Sequence, residues 1–442
     1  MTPLIRFLVH FTFFYTCIEG LVVNILFPAR LPFIYKDLVL LVIYLGFVLP
    51  DLRRTSNPSP LAKAINVSLA FFIGLVLMYL LVPTPVSLLS ELVAVKQRLF
   101  YLPLVVVAYF FIRSIDDVRV LVTTLAAYSL AVAAFGIYLF FAGPEGLRGL
   151  GAGYSAIIYA AQTSVETWRV PGTFTSPGQY GVYLMFNGLV VSALIIDREA
   201  PRWSRVLAVV SLVTVTLAML ASGTRSTLIL MTGGIALALL MSGRLSRTVG
   251  WIVGFYAMIT YAFATLGPGV RDRLGSIASV EHIERFRATY FGQLFAAPLL
   301  EQPLGVGLGV ATIGARHFSE LGQVVLMESY FGILAVEMGW PGLVAFLAVA
   351  AAIVGLVIRY RITMTGSPEA NYWLFLAAFV VLIVAILPVN TSIDSAPGNF
   401  YFWFSVGMLI RLVELQYWRQ WEARQPEGPE AADGASWPAT PA

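Results

Sequence analysis

Long apolar stretches alternate with short polar segments along most of this 442-residue chain. A helix that crosses a lipid bilayer needs about 20 mostly apolar residues. Prolines and glycines stand at most borders between the stretches, where turns are expected. The pattern predicts an all-α, polytopic membrane bundle of about twelve transmembrane helices. The predicted spans are 7–26, 33–50, 65–82, 97–113, 119–141, 178–196, 203–221, 226–242, 249–266, 329–357, 371–388 and 399–416.

The composition supports the same class of protein. Hydrophobic residues make up 59% of the chain and charged residues only 12%, whereas a soluble domain carries about 25% charged residues. The single cysteine, Cys17, excludes an internal disulfide and a cysteine-based metal site. The net charge of +4 is small. We therefore expect the lipid bilayer, and no nucleic acid, as a partner.

The distribution of Lys and Arg predicts the orientation. If the N-terminus is cytoplasmic, the cytoplasmic loops contain most of the basic residues in short loops, as the positive-inside rule requires. Both termini are then cytoplasmic. Residues 1–416 form a single transmembrane domain, and the polar, Pro- and Ala-rich residues 417–442 form a disordered cytoplasmic tail.

Two predicted outer loops are long, at 143–177 and at about 267–328. Within the second loop, residues 281–295 have apolar side chains at helical spacing, which predicts an amphipathic helix on the outer leaflet. The segment "PLGVGLG" (303–309) is similar to a dinucleotide-binding loop, but no βαβ unit surrounds it. Its glycines are expected to permit a tight turn or the close approach of a ligand.

An arginine precedes a segment that cannot be a regular helix. Arg169 is followed by "VPGTFTSPG", and a new helix is predicted to begin after it. Free N–H groups at a helix start, together with an arginine, form a phosphate site. The alternative is that Arg169 reaches lipid headgroups while the glycines only shape a turn.

Three further ionisable residues stand at or inside predicted spans. Arg225 lies at the outer tip of a hairpin of two spans, in "SGTRST", where it is either functional or an interfacial anchor. Glu328 begins a late span, where it either stabilises the helix start or acts as a general base. Glu337 lies inside that span, and it either marks a functional site or pairs with a buried polar group.

No metal or cofactor is expected. The three histidines are too scattered for a metal site, and the two acidic residues considered as ligands, Asp272 and Asp394, stand alone in the sequence.

Four segments in one order resemble the O-antigen ligase and polysaccharide polymerase family, the Wzy/WaaL-like superfamily. They are Arg169 with "PGTFTSPGQYG", the tip "SGTRST", the loop "PLGVGLG" and "ESYFGILAVEMGWPGL". The resemblance covers roughly residues 165–345. It implies a membrane glycosyltransferase with a class C-like fold in the bacterial inner membrane. Such enzymes transfer glycans from undecaprenyl pyrophosphate at the periplasmic face.

The resemblance also assigns roles to residues. It implies that Arg169 and Arg225 bind the pyrophosphate and that the base lies at Glu328, where ligases have a histidine. This departure favours a polymerase of O-antigen, capsule or exopolysaccharide units over transfer to lipid A core. An O-antigen ligase or an O-linked oligosaccharyltransferase of the same family stays an alternative. The transfer is expected to be inverting. Arg285, Arg287 and Arg316 either contact the donor or the acceptor, which is a glycan or a lipid, or form a solvated surface.

Two other functions remain open. Twelve spans with both termini inside also fit a glycan transporter or flippase, and the chain could be a non-catalytic scaffold that works with other polysaccharide-assembly proteins. Convergence of Arg169, Arg225 and Glu328 on one outward-facing cavity would favour the enzyme. Charged residues along a path through the middle of the membrane would favour the transporter.

Overall fold

A computed structural model describes most of the chain, and all of its secondary structure is helical. The described residues are 2–26, 32–49, 62–148, 169–243, 245–265, 284, 297–317, 325, 327–364 and 367–422. The helices are α1 (Pro3–Ile25), α2 (Pro32–Ile43), α3 (Lys63–Tyr79), α4 (Leu88–Leu99), α5 (Leu104–Phe111), α6 (Ile115–Arg148), α7 (Pro177–Ile196), α8 (Arg202–Ser222), α9 (Arg225–Met241), α10 (Leu245–Thr265), α11 (Ala297–Glu301), α12 (Tyr330–Tyr360), α13 (Pro368–Ile386) and α14 (Gly398–Glu422).

Several of these helices are long and apolar enough to cross a membrane, which indicates a multi-pass membrane protein. Seven such segments occur among the described residues: Pro3–Ile25, Leu88–Phe111, Ile115–Leu147, Pro177–Ile196, Arg202–Ser222, Tyr330–Tyr360 and Pro368–Val389. The shorter helices Lys63–Tyr79 and Ser226–Met241 are also apolar. Each of the twelve predicted spans contains a helix or part of one. That all twelve cross the membrane remains a prediction.

Local capping explains where key helices begin and end. Ser176 caps the start of α7, because its Oγ accepts a hydrogen bond from the Gln179 N–H at 3.2 Å. At the end of α8, Gly223 adopts the left-handed conformation with φ 63°. The chain then turns at once into α9, whose first residue is Arg225. The predicted new helix is confirmed, although it begins at Pro177, slightly earlier than the predicted span 178–196. The predicted hairpin of two helices with Arg225 at its tip is also confirmed.

Three helical segments are broken. Within α6, Gly143 has the non-helical φ of 67° and Pro144 follows it. Residues 100–103 separate α4 from α5. Within α12, Gly339 has the non-helical φ of 57° and Pro341 follows it. The predicted long span 329–357 is thus two helices that meet at Gly339, because a proline removes a backbone donor and clashes with the preceding turn.

The two ends of the bundle differ. At the end where α1 begins, ion pairs join neighbouring helices: Arg6–Asp117 and Arg119–Asp197 at 2.8 Å, Arg119–Glu199 at 2.7 Å, and Arg419–Glu369 at 2.8 Å. We call this the ion-pair end.

At the opposite end, which we call the loop end, α7, α9 and α12 begin and α13 ends. A Cβ added at Gly181, near the start of α7, would lie 2.6 Å from the Oγ1 of Thr224 at the start of α9. The Tyr330 N–H at the start of α12 donates to the Asn390 carbonyl just after α13, at 3.1 Å. Three helix starts therefore meet at this end.

Apolar and aromatic side chains fill the interior between the two ends. The rings of Phe186 and Tyr401 stack with their centroids 4.2 Å apart, and Trp373 is fully buried. The last helix continues past the predicted domain boundary at 416 to Glu422. The rest of the predicted tail, residues 423–442, lies outside the described residues.

Candidate functional site: a buried charge cluster at the loop end

A fully buried ion pair joins α4 to α12. The Arg98 guanidinium donates to Glu337 Oε2, and both side chains are 0% exposed. The other carboxylate oxygen, Glu337 Oε1, accepts hydrogen bonds from the backbone N–H groups of Ala311 and Thr312, each at 2.7 Å. The sequence left two interpretations of Glu337 open, and it does pair with a buried polar group. Its carboxylate has a donor on both oxygens, which a buried charge requires.

A second buried carboxylate lies beside this pair. Asp394, in the segment between α13 and α14, is 0% exposed and accepts a hydrogen bond from the Ile313 N–H at 3.3 Å. Burial is the main cause that raises the pKa of Asp394 to about 7. The charge of Glu337 also raises this pKa, while the charge of Arg98 and the hydrogen bond from Ile313 oppose the rise. The sequence-based interpretation that Asp394 stands alone is therefore wrong. Its partners are distant in sequence, and folding brings them together.

The glycine-rich loop reaches the cluster because its glycines allow close approach. Gly305, Gly307 and Gly309 all have positive φ, at 77°, 100° and 85°. A Cβ added at Gly305 would lie 2.6 Å from the backbone carbonyl of Glu337. The Gly307 N–H donates to that same carbonyl at 3.0 Å. The predicted tight turn is confirmed, and the loop packs on α12.

At its break, the backbone of α12 contacts the same glycine-rich loop. The Trp340 N–H donates to the Pro303 carbonyl at 2.9 Å, and a Cβ added at Gly339 would lie 2.1 Å from that oxygen. The hydroxyl of Tyr79, at the end of α3, lies 2.7 Å from the Leu304 carbonyl. Part of the predicted outer loop 267–328 is therefore built into the bundle.

Several polar atoms around the ion pair have no hydrogen-bond partner among the described residues. They are Arg98 Nε and Nη1, Thr312 Oγ1 and Asp394 Oδ1. An unsatisfied buried polar group costs about 1–3 kcal/mol. We call Arg98, Thr312, Tyr330, Glu337 and Asp394 the buried charge cluster; Tyr330 belongs to it because its hydroxyl is in electrostatic contact with all three charged residues. Its unmet hydrogen-bonding capacity suits a small polar group.

The segment after Arg169 is non-helical, as predicted. Arg169 is partly buried, and the following residues Val170, Thr173 and Phe174 are buried. Thr173 Oγ1 donates to the Cys17 carbonyl of α1 at 2.5 Å. This contact satisfies polar groups of an irregular segment inside the bundle, as such a segment requires.

Four of the other predicted arginines lie wholly or partly outside the described residues. Arg225 is the first residue of α9 and Arg316 belongs to the short 3₁₀ helix Ile313–His317, but their side chains are not described. Arg285, Arg287 and, except for Glu284, the predicted amphipathic helix 281–295 lie outside the described residues.

Glu328 is exposed and lies just before Ser329, the residue that caps the start of α12. The next residue, Ser329, caps this helix by accepting a hydrogen bond from the Gly332 N–H at 3.0 Å. The backbones of Arg169, Arg225 and Glu328 thus lie at the same end of the bundle, the loop end. The roles assigned to their side chains stay predictions.

The sequence analysis did not single out Arg98 or Asp394 as members of a site. Arg98 stands in "ELVAVKQRLF", where Lys96 and Glu91 make the segment look like a polar surface helix. One signal was available: Glu337 in an apolar span requires a buried partner.

Comparison with known proteins adds no relationship to this geometry. No protein-family model matches the chain, and no curated protein matches it.

Proposed function

We propose that this protein is a membrane glycosyltransferase that polymerises glycan units carried on undecaprenyl pyrophosphate. Its site faces the periplasm at the loop end, and both termini are cytoplasmic. Its product is an O-antigen, capsule or exopolysaccharide chain. The donor and a growing acceptor glycan are its substrates, and other polysaccharide-assembly proteins are its partners.

One observation carries the proposal: the segment with Arg169 and the starts of α9 and α12 lie at one end of the bundle. A diphosphate leaving group gains negative charge as the glycosidic bond breaks. Guanidinium groups and helix N-termini stabilise such charge. Arg225 is the first residue of α9, and Arg169 begins the non-helical segment that leads into α7.

The reaction is a single displacement. The acceptor hydroxyl loses its proton to a carboxylate, its oxygen bonds to the anomeric carbon, and the bond from that carbon to the diphosphate oxygen breaks. The configuration at the anomeric carbon inverts. Glu328 is the base that the resemblance implies.

The test replaces Arg169, Arg225 and Glu328 by Ala, one at a time, in the host cell, and measures the length of the surface polysaccharide on gels. We expect each arginine variant to leave single repeat units. Arg202→Ala is the matched control, because Arg202 is also the first residue of a helix but lies at the ion-pair end. Surface chains of normal length in all three variants would reject the role assignments.

The same gels separate the related functions. Loss of a ligase leaves long chains still attached to the lipid carrier, and loss of a protein glycosyltransferase leaves an unmodified acceptor protein. Loss of a flippase leaves single units that an enzyme added outside the cell cannot reach.

A further inference from the structure

The two carboxylates of the buried charge cluster are bound differently. Glu337 receives the Arg98 guanidinium on one oxygen and two backbone N–H groups on the other. Asp394 receives one backbone N–H on Oδ2, and its Oδ1 has no hydrogen-bond partner among the described residues. Glu337 is therefore held as a structural anion, whereas Asp394 has an oxygen available to accept a proton.

The other unmatched atoms of the cluster are complementary in type to Asp394 Oδ1. Arg98 has two N–H-bearing nitrogens, Nε and Nη1, without an acceptor in the described part of the chain, and the hydroxyl of Thr312 has no partner there either. The charges of Arg98 and Asp394 interact, because the Arg98 charge lowers the pKa of Asp394. A hydroxyl group satisfies this arrangement, because it accepts from a guanidinium and donates to a carboxylate at the same time.

We propose that the buried charge cluster binds the acceptor's hydroxyl group and that Asp394 is the catalytic residue that takes its proton. This inference rests on the glycosyl transfer proposed above. The chemical class of the ligand is a sugar hydroxyl. A water molecule presents the same chemistry, and the test below separates the two.

Asp394 can act as a proton acceptor near neutral pH. A general base works best when its pKa lies near the ambient pH. Burial raises the pKa of Asp394 to about 7. The groups that face Asp394 are Arg98 from α4, Glu337 and Tyr330 from α12, and the Ile313 N–H.

The stretch 311–313 covers the cluster. Its hydrogen bond from Ile313 to Asp394 is 3.3 Å long, while its two bonds to Glu337 are 2.7 Å long. Longer hydrogen bonds are weaker. The attachment of this stretch to Asp394 is therefore weaker than its attachment to Glu337. Because Asp394 is 0% exposed, the proposal requires the stretch to move away from Asp394 Oδ1 when the hydroxyl binds.

The step balances. The hydroxyl O–H bond breaks and its proton goes to Asp394 Oδ1. The oxygen's electron pair forms the bond to the anomeric carbon. The bond from that carbon to the diphosphate oxygen breaks, and its electron pair leaves with the diphosphate. The proton later passes from Asp394 to water.

The experiment uses the full chain in membrane vesicles from the host, which contain the cell's own carrier-linked glycan. Chain growth is followed on gels for wild type, Asp394→Asn, Asp394→Glu and Glu328→Gln across neutral pH. Asp197→Asn is the matched control, because Asp197 is also a buried carboxylate but pairs with Arg119 at the ion-pair end. Thermal melting of each purified full-length variant monitors folding.

We expect Asp394→Asn to slow chain growth by about 100-fold or more, the usual contribution of a general base, and by more than Glu328→Gln does, while Asp197→Asn retains growth. In wild type the rate should fall as the pH drops below about 7, because protonated Asp394 cannot act as a base. Asp394→Glu should keep measurable growth with a shifted pH midpoint, which a purely structural role would not produce.

Wild-type growth in Asp394→Asn would overturn the inference and show that the cluster holds an ordered water only. If Asp394→Asn has a lower melting temperature than wild type, the Asp394→Glu variant provides the test. A pH midpoint of chain growth in Asp394→Glu that equals the wild-type midpoint would overturn the proton-transfer role. Failure of the transferase proposal looks different, since Arg169→Ala and Arg225→Ala would then also leave chain growth intact.

Discussion

Neutralising one partner of the Arg98–Glu337 pair is expected to destabilise the bundle strongly. Glu337→Gln preserves the shape of the side chain and keeps an oxygen for the two loop N–H groups that Glu337 binds. It removes the charge that balances Arg98, which is 0% exposed. Breaking a buried ion pair on one side costs about 3–5 kcal/mol, because the remaining charge is uncompensated.

A double-mutant cycle isolates the interaction free energy between Arg98 and Glu337. Arg98→Met alone leaves the Glu337 carboxylate without its guanidinium, and we expect a similar loss of about 3–5 kcal/mol. The double variant removes both charges, and buried pairs replaced by neutral groups are often as stable as the original. The sum of the free energies of unfolding lost in the two single variants should therefore exceed the loss in the double variant by about 3 kcal/mol or more.

The measurement is the free energy of unfolding of the full-length protein in detergent micelles, followed by tryptophan fluorescence during denaturant titration. Glu199→Gln is the control, because the Glu199 side chain is 61% exposed in its ion pair with Arg119. Exposed pairs contribute about 0–1 kcal/mol. Additive single losses, or a loss in Glu337→Gln no larger than in the control, would refute the reasoning.

Two further predictions concern the glycine at the helix break and the protonation of Asp394. Gly339→Ala should lower the free energy of unfolding by more than about 1 kcal/mol, because alanine rarely adopts the φ of 57° and its Cβ would lie 2.1 Å from the Pro303 carbonyl. Gly355→Ala, in the same helix with nothing within 4 Å of the added Cβ, should instead stabilise by about 0.5–1 kcal/mol. The pKa of Asp394 is raised from 3.8 to about 7, so the folded state binds more protons between these values. Wild-type stability should consequently fall as the pH rises through this window and then level off. Asp394→Asn should remove that contribution, and a pH series of denaturant titrations in which the two proteins behave alike would contradict it.

The positions of the helices followed from local sequence. Each predicted span contains a helix or part of one, because the length and hydropathy of a stretch are properties of neighbouring residues. The boundaries were less accurate: α4 begins at Leu88, before the predicted span 97–113, and α6 continues to Arg148, past the predicted end at 141. The start of α7 at Pro177 lies next to the predicted span 178–196, and its cap acts within one helical turn.

In the long predicted span at 329–357, local sequence did not predict the break in the helix. Its hydropathy is continuous, yet the helix breaks at Gly339. The break depends on Pro303, whose carbonyl receives the Trp340 N–H. Pro303 belongs to a loop that the sequence predicted to lie outside the bundle, so only packing could reveal the contact.

The sequence by itself determined that this is a helical membrane protein, roughly where its helices lie and that Glu337 is an ionisable residue inside an apolar span. Only the tertiary structure decided that the partner of Glu337 is Arg98, 239 residues away, and that Asp394 lies beside them. The physical reason is the separation along the chain over which each effect acts. Hydropathy and capping act between neighbours along the chain, whereas a buried charge is stabilised by whichever group the packing of helices brings within a few ångströms.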